Sequence, residues 1–205
     1  SFLRAKDSVV SVAIAGERRA YPVSVLLWHQ VINDTVGGVP IAVTYCPLAD
    51  AAQVFERRVG GQESRFGTSG MLGRSNTILW DRLTESWWQQ YTGEAIIGAA
   101  VGQRLAVLPA RVEAYGQFLA GGPLGQVLAP PDPGLGQYGV NPFTGYDQAQ
   151  WPFLYRGTFP KGLAPMMRVV AVDGEAWSWG LLRARLQTEA GDLMLIWEAG
   201  RASAL

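Results

Sequence analysis

Short apolar segments separated by glycine turns are the feature of this sequence that most limits its possible folds. The 205-residue chain contains 25 glycines. Strings such as VVSVAIAGERRAY near the start and DTVGGVPIAVTY after it place a glycine turn between segments rich in β-branched residues. This pattern is typical of β-hairpins. We therefore predict an α+β, mainly β fold built on antiparallel sheets.

Two helices are predicted within this β-rich chain. The clear one lies near residues 111–120, where apolar side chains share one helical face, Pro109 stands just before the segment and Gly121 follows it. A short helical turn is predicted after Pro22, because VSVLLWHQVI places apolar residues and His29 at helical spacing.

The chain is predicted to form a single domain over residues 1–205. Its first part, residues 1–128, carries the motifs, and its last part, 166–205, repeats the N-terminal β unit. Between them, residues 129–165 hold more than half of the 12 prolines and many aromatic residues. Prolines exclude regular ladders, so a coil pinned to the core by aromatic side chains is favoured. A lid or a loop that binds another protein is the alternative.

The repeat is visible as two pairs of similar strings. VSVAIAGERRAYPVSVL resembles RVVAVDGEAWSWGLL, and GVPIAVTYCPLADA resembles AGDLMLIWEAGRASA. Two copies this far apart do not make a solenoid. They predict a duplicated β unit whose second copy packs on the first or completes its sheet. The second copy has no Cys and no His, so chemistry that needs these residues is confined to the first.

Charge and hydropathy argue against two classes of partner. The chain has 17 basic and 17 acidic residues and no basic run, whereas a nucleic-acid backbone is normally met by a concentrated positive patch. The longest apolar stretch, AIIGAAVG, is too short to be a transmembrane segment. Because the chain begins with Ser1, we expect a processed or trimmed product, from which a signal peptide or lipid anchor could have been removed.

The only cysteine, Cys46, and the only histidine, His29, are the candidates for catalysis. An imidazole activates a thiolate nucleophile when the two groups are in hydrogen-bond reach and a third group orients the imidazole. Asn33 or Asp34 could supply that third group. The favoured alternative is that Cys46 is an inert, buried residue that packs like a small hydrophobe.

The sequence predicts how these two residues are placed. HQVIND is expected to run antiparallel to PIAVTYC around Gly37-Gly38, which pairs residues whose numbers sum to about 75, as 29 and 46 do. Cross-strand neighbours have Cβ atoms about 4.5–5.5 Å apart. We therefore predict that His29 and Cys46 lie within contact or one-water distance, although a one-residue slip would send them to opposite faces.

A second group of polar residues lies in SGMLGRSNTILWDRLTESWWQQYTGE. Turn chemistry explains Asp81, because Asp, Ser and Thr bond local backbone at strand ends. Gln90 is not a turn former, and a buried Gln without partners costs about 1–3 kcal/mol, so we expect it to line a polar pocket. Trp87 and Trp88 must face opposite sides of a strand, so at most one is core. The candidate ligand-binding residues are Asn76, Asp81, Trp88 and Gln90.

Over most of residues 8–130 the chain resembles the bacterial domain-of-unknown-function family 3179. The resemblance is carried by AYPVSVLLWHQVINDTVGGVPIAVTYCPLADAAQVF and FGTSGMLGRSNTILWDRLTESWWQQYTGEAIIGAAVGQRLAVLP. It implies no established activity. It does imply an exported protein, located in the periplasm or on the outer side of the membrane.

Two departures from the family motifs affect the expected site. His29-Gln30 stands where the family usually has His-Glu, and Ala49 stands where Cys46-Pro47-Leu48 is usually followed by a second Cys. The complete set of family residues, with two Cys, the His and the Glu, would suit copper or zinc as a metal site. With His29, Cys46 and Asp50 as a substitute oxygen ligand, this chain is expected to bind either metal weakly or not at all.

We therefore expect an extracytoplasmic, non-enzymatic binding or assembly module whose Cys/His site is degraded. Another protein that docks on residues 129–165 is the candidate partner. The alternative is a metal-binding or thiol-based redox or nucleophilic protein that uses Cys46 and His29.

Overall fold

The computed structural model describes residues 2–122, 124–172 and 174–201. It confirms the mainly β, α+β class, with 43% of residues in strands and 13% in helices. The N-terminal elements are β1 (Ser8–Ile14), β2 (Glu17–Pro22), α1 (Val23–His29), β3 (Val31–Val36), β4 (Val39–Cys46), β5 (Ala51–Glu56), β6 (Arg58–Val59), β7 (Gln62–Glu63) and β8 (Phe66–Gly73). They are followed by β9 (Asn76–Asp81), β10 (Trp87–Gln89), β11 (Ala95–Ile97), β12 (Val107–Leu108), β13 (Ala110–Ala114), α2 (Tyr115–Ala120) and β14 (Gln126–Val127). The C-terminal elements are two 3-10 turns (Pro133–Leu135 and Tyr146–Gln148), β15 (Val169–Val172), β16 (Glu175–Ser178), α3 (Trp179–Arg185), β17 (Gln187–Ala190) and β18 (Leu193–Ile196).

The strands form three four-stranded sheets in the described ranges. Their orders are β13-β1-β2-β14, β12-β5-β4-β3 and β11-β10-β9-β8. Pairing is antiparallel except between β14 and β2. Three further strand pairs, β6-β7, β15-β16 and β17-β18, stand apart from these sheets.

Strand β4 is buried on both faces and separates the two main cores. Ile41 and Val43 point into a core formed with β1, β2 and α1. Ala42 belongs to the other core, where Phe55 and Trp88 are the large side chains. Because successive side chains of a strand alternate between faces, the face of Ala42 also carries the polar residues of the candidate site.

The helix predicted near residues 111–120 is wrong in its first half. Residues Ala110–Ala114 form β13, which pairs with β1 and places Val112 opposite Val10; the helix α2 begins only at Tyr115. The edge of β1 was available to pair, and this tertiary contact outweighs the helical spacing of the apolar residues. The helix expected after Pro22 is present as α1.

Residues 129–165 are irregular, as predicted, apart from the two 3-10 turns. Near its start the segment is tied to α1, because the Trp28 indole donates to the Val140 carbonyl at 3.3 Å. Farther on, Trp151 is 62% and Leu154 61% exposed, although the Trp151 ring contacts the half-buried Phe159 at 4.9 Å. Contact with α1 therefore accounts for residues 138–140 and not for these two exposed side chains.

The C-terminal strands do not complete an N-terminal sheet. β15 pairs with β16 and β17 pairs with β18, each as a two-stranded ladder. Contact with the rest of the protein is made through backbone bonds such as Ala114 N–H to the Gly200 carbonyl. Within the described ranges, no helix is both long enough and apolar enough to cross a bilayer.

Candidate functional site

The register between β3 and β4 is the predicted one, but His29 lies outside it. Val31 pairs with Thr44 and Val36 with Val39. One residue earlier the chain leaves the strand: Gln30 has φ 54° and its N–H closes helix α1 on the Leu26 carbonyl. The predicted strand pairing of His29 with Cys46 is therefore wrong, since His29 is the last residue of α1.

The imidazole of His29 is engaged by the irregular segment. Its Nε2 lies 2.7 Å from the Tyr138 hydroxyl. The two groups that could have oriented it are used elsewhere. The Asn33 side chain forms two hydrogen bonds with the backbone of Phe66. Asp34 accepts hydrogen bonds from the Arg19 guanidinium and the Tyr21 hydroxyl on β2. The residues therefore do not form the Cys–His–orienting-group arrangement of a nucleophile site.

Cys46 is fully buried at the end of β4, on the face shared with Ala42 and Thr44. Its strand partner is Ala51 on β5. The thiol lies 4.0 Å from the Ser75 carbonyl, at the limit for a weak S–H hydrogen bond. This is the environment of a small packed residue.

Asp50, the substitute metal ligand, is bonded to protein groups. It accepts from the Tyr45 hydroxyl at 2.8 Å and forms an ion pair with Arg168. In the described part of the chain, no three His, Cys, Asp or Glu residues lie close enough to hold a metal ion. His29, Cys46 and Asp50 are thus not assembled as a ligand set.

Gln90 lies at the centre of a buried hydrogen-bond network that joins two sheets. Its Oε1 accepts from Asn76 Nδ2 at 2.9 Å, and its Nε2 donates to Thr44 Oγ1 at 3.0 Å and to the Ala51 carbonyl at 3.2 Å. Asn76 Oδ1 accepts in turn from Gln89. We call Thr44, Asn76, Gln89 and Gln90 the Gln90 network. Both the oxygen and the nitrogen of the Gln90 amide form hydrogen bonds to protein atoms. These bonds offset the desolvation free energy of burying the amide.

Gln30, which stands where the family usually has Glu, lies beside this network. Gln30 Oε1 accepts from Thr77 Oγ1 at 3.0 Å. The β8–β9 turn next to it places two non-glycine residues in the left-handed region, Arg74 at φ 53° and Ser75 at φ 63°. The Ser75 hydroxyl is buried and has no hydrogen-bond partner among the residues that the structure describes. Sequence reasoning missed the role of Thr44, although a Thr inside PIAVTYC was a sign of a polar contact within the core.

Asp81 organises the β9–β10 turn, as turn chemistry predicted. Its carboxylate accepts hydrogen bonds from Thr84, Ser86 N–H, Ser64 and the Trp88 indole. Burial by itself raises the pKa of Asp81, but these hydrogen bonds, led by those from Thr84, outweigh it and hold the pKa below its usual value. The carboxylate therefore stays charged and fixes the turn.

Trp88 is the core member of its pair. Its ring is fully buried and meets Phe66 edge-on at 5.9 Å, while Trp87 is half-buried. Together with the contacts of Asp81 and Gln90, this gives all four candidate ligand-binding residues partners inside the protein.

Two adjoining cavities open between β5, the β12–β13 segment and the C-terminal strands. The larger has a volume of about 480 Å³ and lies between β5, the β12–β13 segment and β15. The smaller, of about 260 Å³, lies against α3 and β18. Both are lined by Arg111, Val170 and Trp179. We call the joined pair the Arg111 cleft.

Comparison with known proteins agrees with the sequence motifs. A family model described as "Protein of unknown function (DUF3179)" matches residues 1–205. No curated protein and no solved structure matches the chain. Because the match extends over the entire sequence, including the C-terminal strands, the chain belongs to the DUF3179 family.

Proposed function

We propose that this protein is a non-enzymatic binding or assembly module whose Cys/His site is degraded. The observation that carries the proposal is the fully buried thiol of Cys46, whose contact is a backbone carbonyl, while the imidazole of His29 is bonded to Tyr138. A nucleophilic cysteine needs solvent access and a base or positive charge beside it. The thiol of Cys46 has no solvent access.

The Gln90 network supports the same proposal. Its side chains bond each other across β4, β9 and β10, so they hold two sheets together. A half-satisfied buried network would be costly, whereas a fully bonded one rigidifies the core. The polar residues of the family motif thus act as a scaffold.

Thiol reactivity tests the proposal directly. We expect the native protein to react slowly with iodoacetamide at pH 6, at a rate unchanged in His29→Ala, and to react with one equivalent after unfolding. The unfolded sample and Cys46→Ser are the controls, because they report the accessible thiol and the background. Rapid labelling of the native protein that is lost in His29→Ala would contradict the proposal.

One observation favours the rival function, a thiol-based or metal-binding protein. The Ser75 hydroxyl is buried and has no partner within residues 2–122, 124–172 and 174–201, and the carbonyl of the same residue lies near the Cys46 thiol. A buried hydroxyl without a partner is a position where a bound group could be held. Titration with Cu(I), Cu(II) and Zn(II) separates the two functions. We expect no stoichiometric sub-micromolar binding; tight binding that disappears in Cys46→Ser would establish the rival.

The module is proposed to act outside the cytoplasm, which rests on its resemblance to exported family members. Residues 129–165 are the proposed docking segment for another protein, because Trp151, Phe153 and Leu154 are more than half exposed there. Cell fractionation of the full-length protein tests the location. Recovery in the cytoplasmic fraction alone would contradict it.

A further inference from the structure

The Arg111 cleft has the size and lining of a small-molecule site. Ligand cavities usually measure about 300–1,000 Å³ and combine apolar walls with a few polar groups, and the larger part of this cleft measures about 480 Å³. Val54, Val107 and Leu108 line one side, and Val170 on β15 lies on the other. An apolar ligand body could therefore be enclosed between β5 and β12 on one side and β15 on the other.

Among the described residues, the charges that line the cleft leave one cation, Arg111, without an ion-pair partner. Asp50 forms an ion pair with Arg168, and Glu198 forms one with Arg201. The Arg111 side chain makes no hydrogen bond or ion pair with any residue in the ranges 2–122, 124–172 and 174–201. Of the five charged residues lining the cleft, Arg111 alone forms no ion pair within the part of the chain that the structure describes.

Trp179 places an aromatic ring beside these charges. The Arg168 guanidinium lies 5.0 Å from the centre of the Trp179 ring, a cation–π contact. This contact and the ion pair to Asp50 hold Arg168 in the wall of the cleft. Trp179 and Arg111 line both cavities, so an apolar surface and a free cation meet at the junction of the two.

We infer that the Arg111 cleft binds a small amphipathic carboxylate, with the carboxylate on the Arg111 guanidinium and the apolar body along Val170 and Trp179. The inference rests on the proposed binding function and specifies its ligand class. A guanidinium presents paired donors that match a carboxylate. A single negative charge equals the one unpaired cation, whereas a doubly charged phosphate would leave excess negative charge near Asp50 and Glu198.

The test uses decanoate as the probe and the full chain as the protein. We expect decanoate to bind with saturable quenching of tryptophan fluorescence and a matching calorimetric isotherm, and 1-decanol to bind at least about 10-fold more weakly. Arg111→Gln should weaken decanoate binding by about 10- to 100-fold, the usual effect of losing a charged hydrogen bond. Ala171→Trp, which puts a large ring in the cleft, should abolish binding of both probes.

Arg82→Gln is the matched control, because Arg82 is exposed outside the cleft and its side chain is likewise without an ion pair in the described ranges. It should bind decanoate like the natural chain. Equal affinity for decanoate and decanol, no decanoate binding by the natural chain, or unchanged binding by Arg111→Gln would each overturn the inference. These outcomes are independent of the thiol-labelling result, so the cleft can fail as a site while the binding-module proposal stands.

Discussion

The two ends of the chain contain the same succession of elements and differ in how deeply those elements are buried. In the N-terminal unit (residues 8–46) and the C-terminal unit (residues 169–196), a β-hairpin leads into a seven-residue helix and then into a second hairpin. Each helix ends at a left-handed non-glycine residue, Gln30 at φ 54° and Leu186 at φ 64°. That the two units arose as a duplicated β unit stays a prediction from the sequence.

The units differ because their strands have different neighbours. β4 lies between β3 and β5 and is buried along nearly its whole length, whereas on β18 only Leu195 is buried. The C-terminal core is correspondingly small, centred on Leu182, Ala190 and Leu195. Similar local sequences therefore give similar local structure, and burial depends on which other strands are available to pair.

The comparison also separates structure from proposed function. Only the N-terminal unit carries Cys46, His29 and the contacts of Thr44 and Gln30 to the β9–β10 sheet. The C-terminal unit contributes Val170 and Trp179 to the Arg111 cleft. The second unit thus supplies a wall of the cleft and none of the motif residues.

Truncating the equivalent helix leucines should have the largest effect and sharpen the comparison. Leu26 and Leu182 both accept the hydrogen bond that closes their helix, and they are 0% and 5% exposed. We expect Leu26→Ala to lower the free energy of unfolding by about 2–5 kcal/mol, because it leaves a cavity in a large core. Leu182→Ala should lower the free energy of unfolding, measured in urea, by less, because the apolar cluster around Leu182 is small.

Hydrogen exchange distinguishes local from global effects in the same pair. Leu182→Ala should speed exchange mainly within residues 169–196, and Leu26→Ala should speed it throughout the sheets. Equal losses in the two variants, or a larger loss for Leu182→Ala, would show that the C-terminal unit is integrated as tightly as the N-terminal one.

An ion-paired carboxylate present only in the N-terminal unit gives the next prediction. Asp34 accepts from Arg19 at 2.6 Å and from the Tyr21 hydroxyl at 2.8 Å; Ala190 lies at the same distance from its helix cap in the other unit. Asp34→Ala should lower the free energy of unfolding at pH 7 by about 1–3 kcal/mol, because it leaves the buried Tyr21 hydroxyl unpaired.

The contribution of Asp34 to the free energy of unfolding should become smaller as the pH falls. Burial raises the pKa of Asp34, but the hydrogen bonds from Arg19 and Tyr21 outweigh it and lower the pKa below its usual value. The stabilisation is therefore present above the unfolded-state pKa of about 3.9 and is lost as the pH falls through the lower folded-state value. Urea unfolding at pH 7 and pH 3, with Asp34→Asn as the non-titrating control, measures this. A difference between the natural chain and Asp34→Asn that grows on acidification would contradict it.

Glycine at the two left-handed caps should give the smallest effects. Leu186 is 58% exposed, so Leu186→Gly loses little packing and relieves a left-handed conformation, and it should stabilise the protein by up to about 1 kcal/mol. Gln30→Gly gains the same relief but loses the hydrogen bond from Thr77, worth about 0.5–1.5 kcal/mol. Thermal unfolding should therefore rank Leu186→Gly above Gln30→Gly. The reverse order would mean that the Gln30–Thr77 bond contributes nothing.

Much of the fold followed from local patterns in the sequence. The hairpin around Gly37-Gly38 and its register, the helix after Pro22 and the turn at Asp81 were all predictable, because turn residues and strand alternation act over a few neighbours. The end of α1 at His29 was not. Helix α1 ends at a left-handed residue that is Gln30 and not glycine, so the sequence gives no sign of the helix end. Strand β3 was therefore expected to begin at His29, two residues before its actual start at Val31.

By itself, the sequence determined the β-rich class, the register of the β3–β4 hairpin and the family to which the chain belongs. The tertiary structure decided that Ala110–Ala114 pair with β1 as a strand and that Gln90 bonds Thr44 and Asn76. It also decided that Arg111 lines a cleft and has no ion-pair partner among the described residues. The physical reason is range. Propensity and turn chemistry act between near neighbours, whereas an edge to pair with, a partner for a buried amide and an unpaired charge all depend on segments distant in sequence.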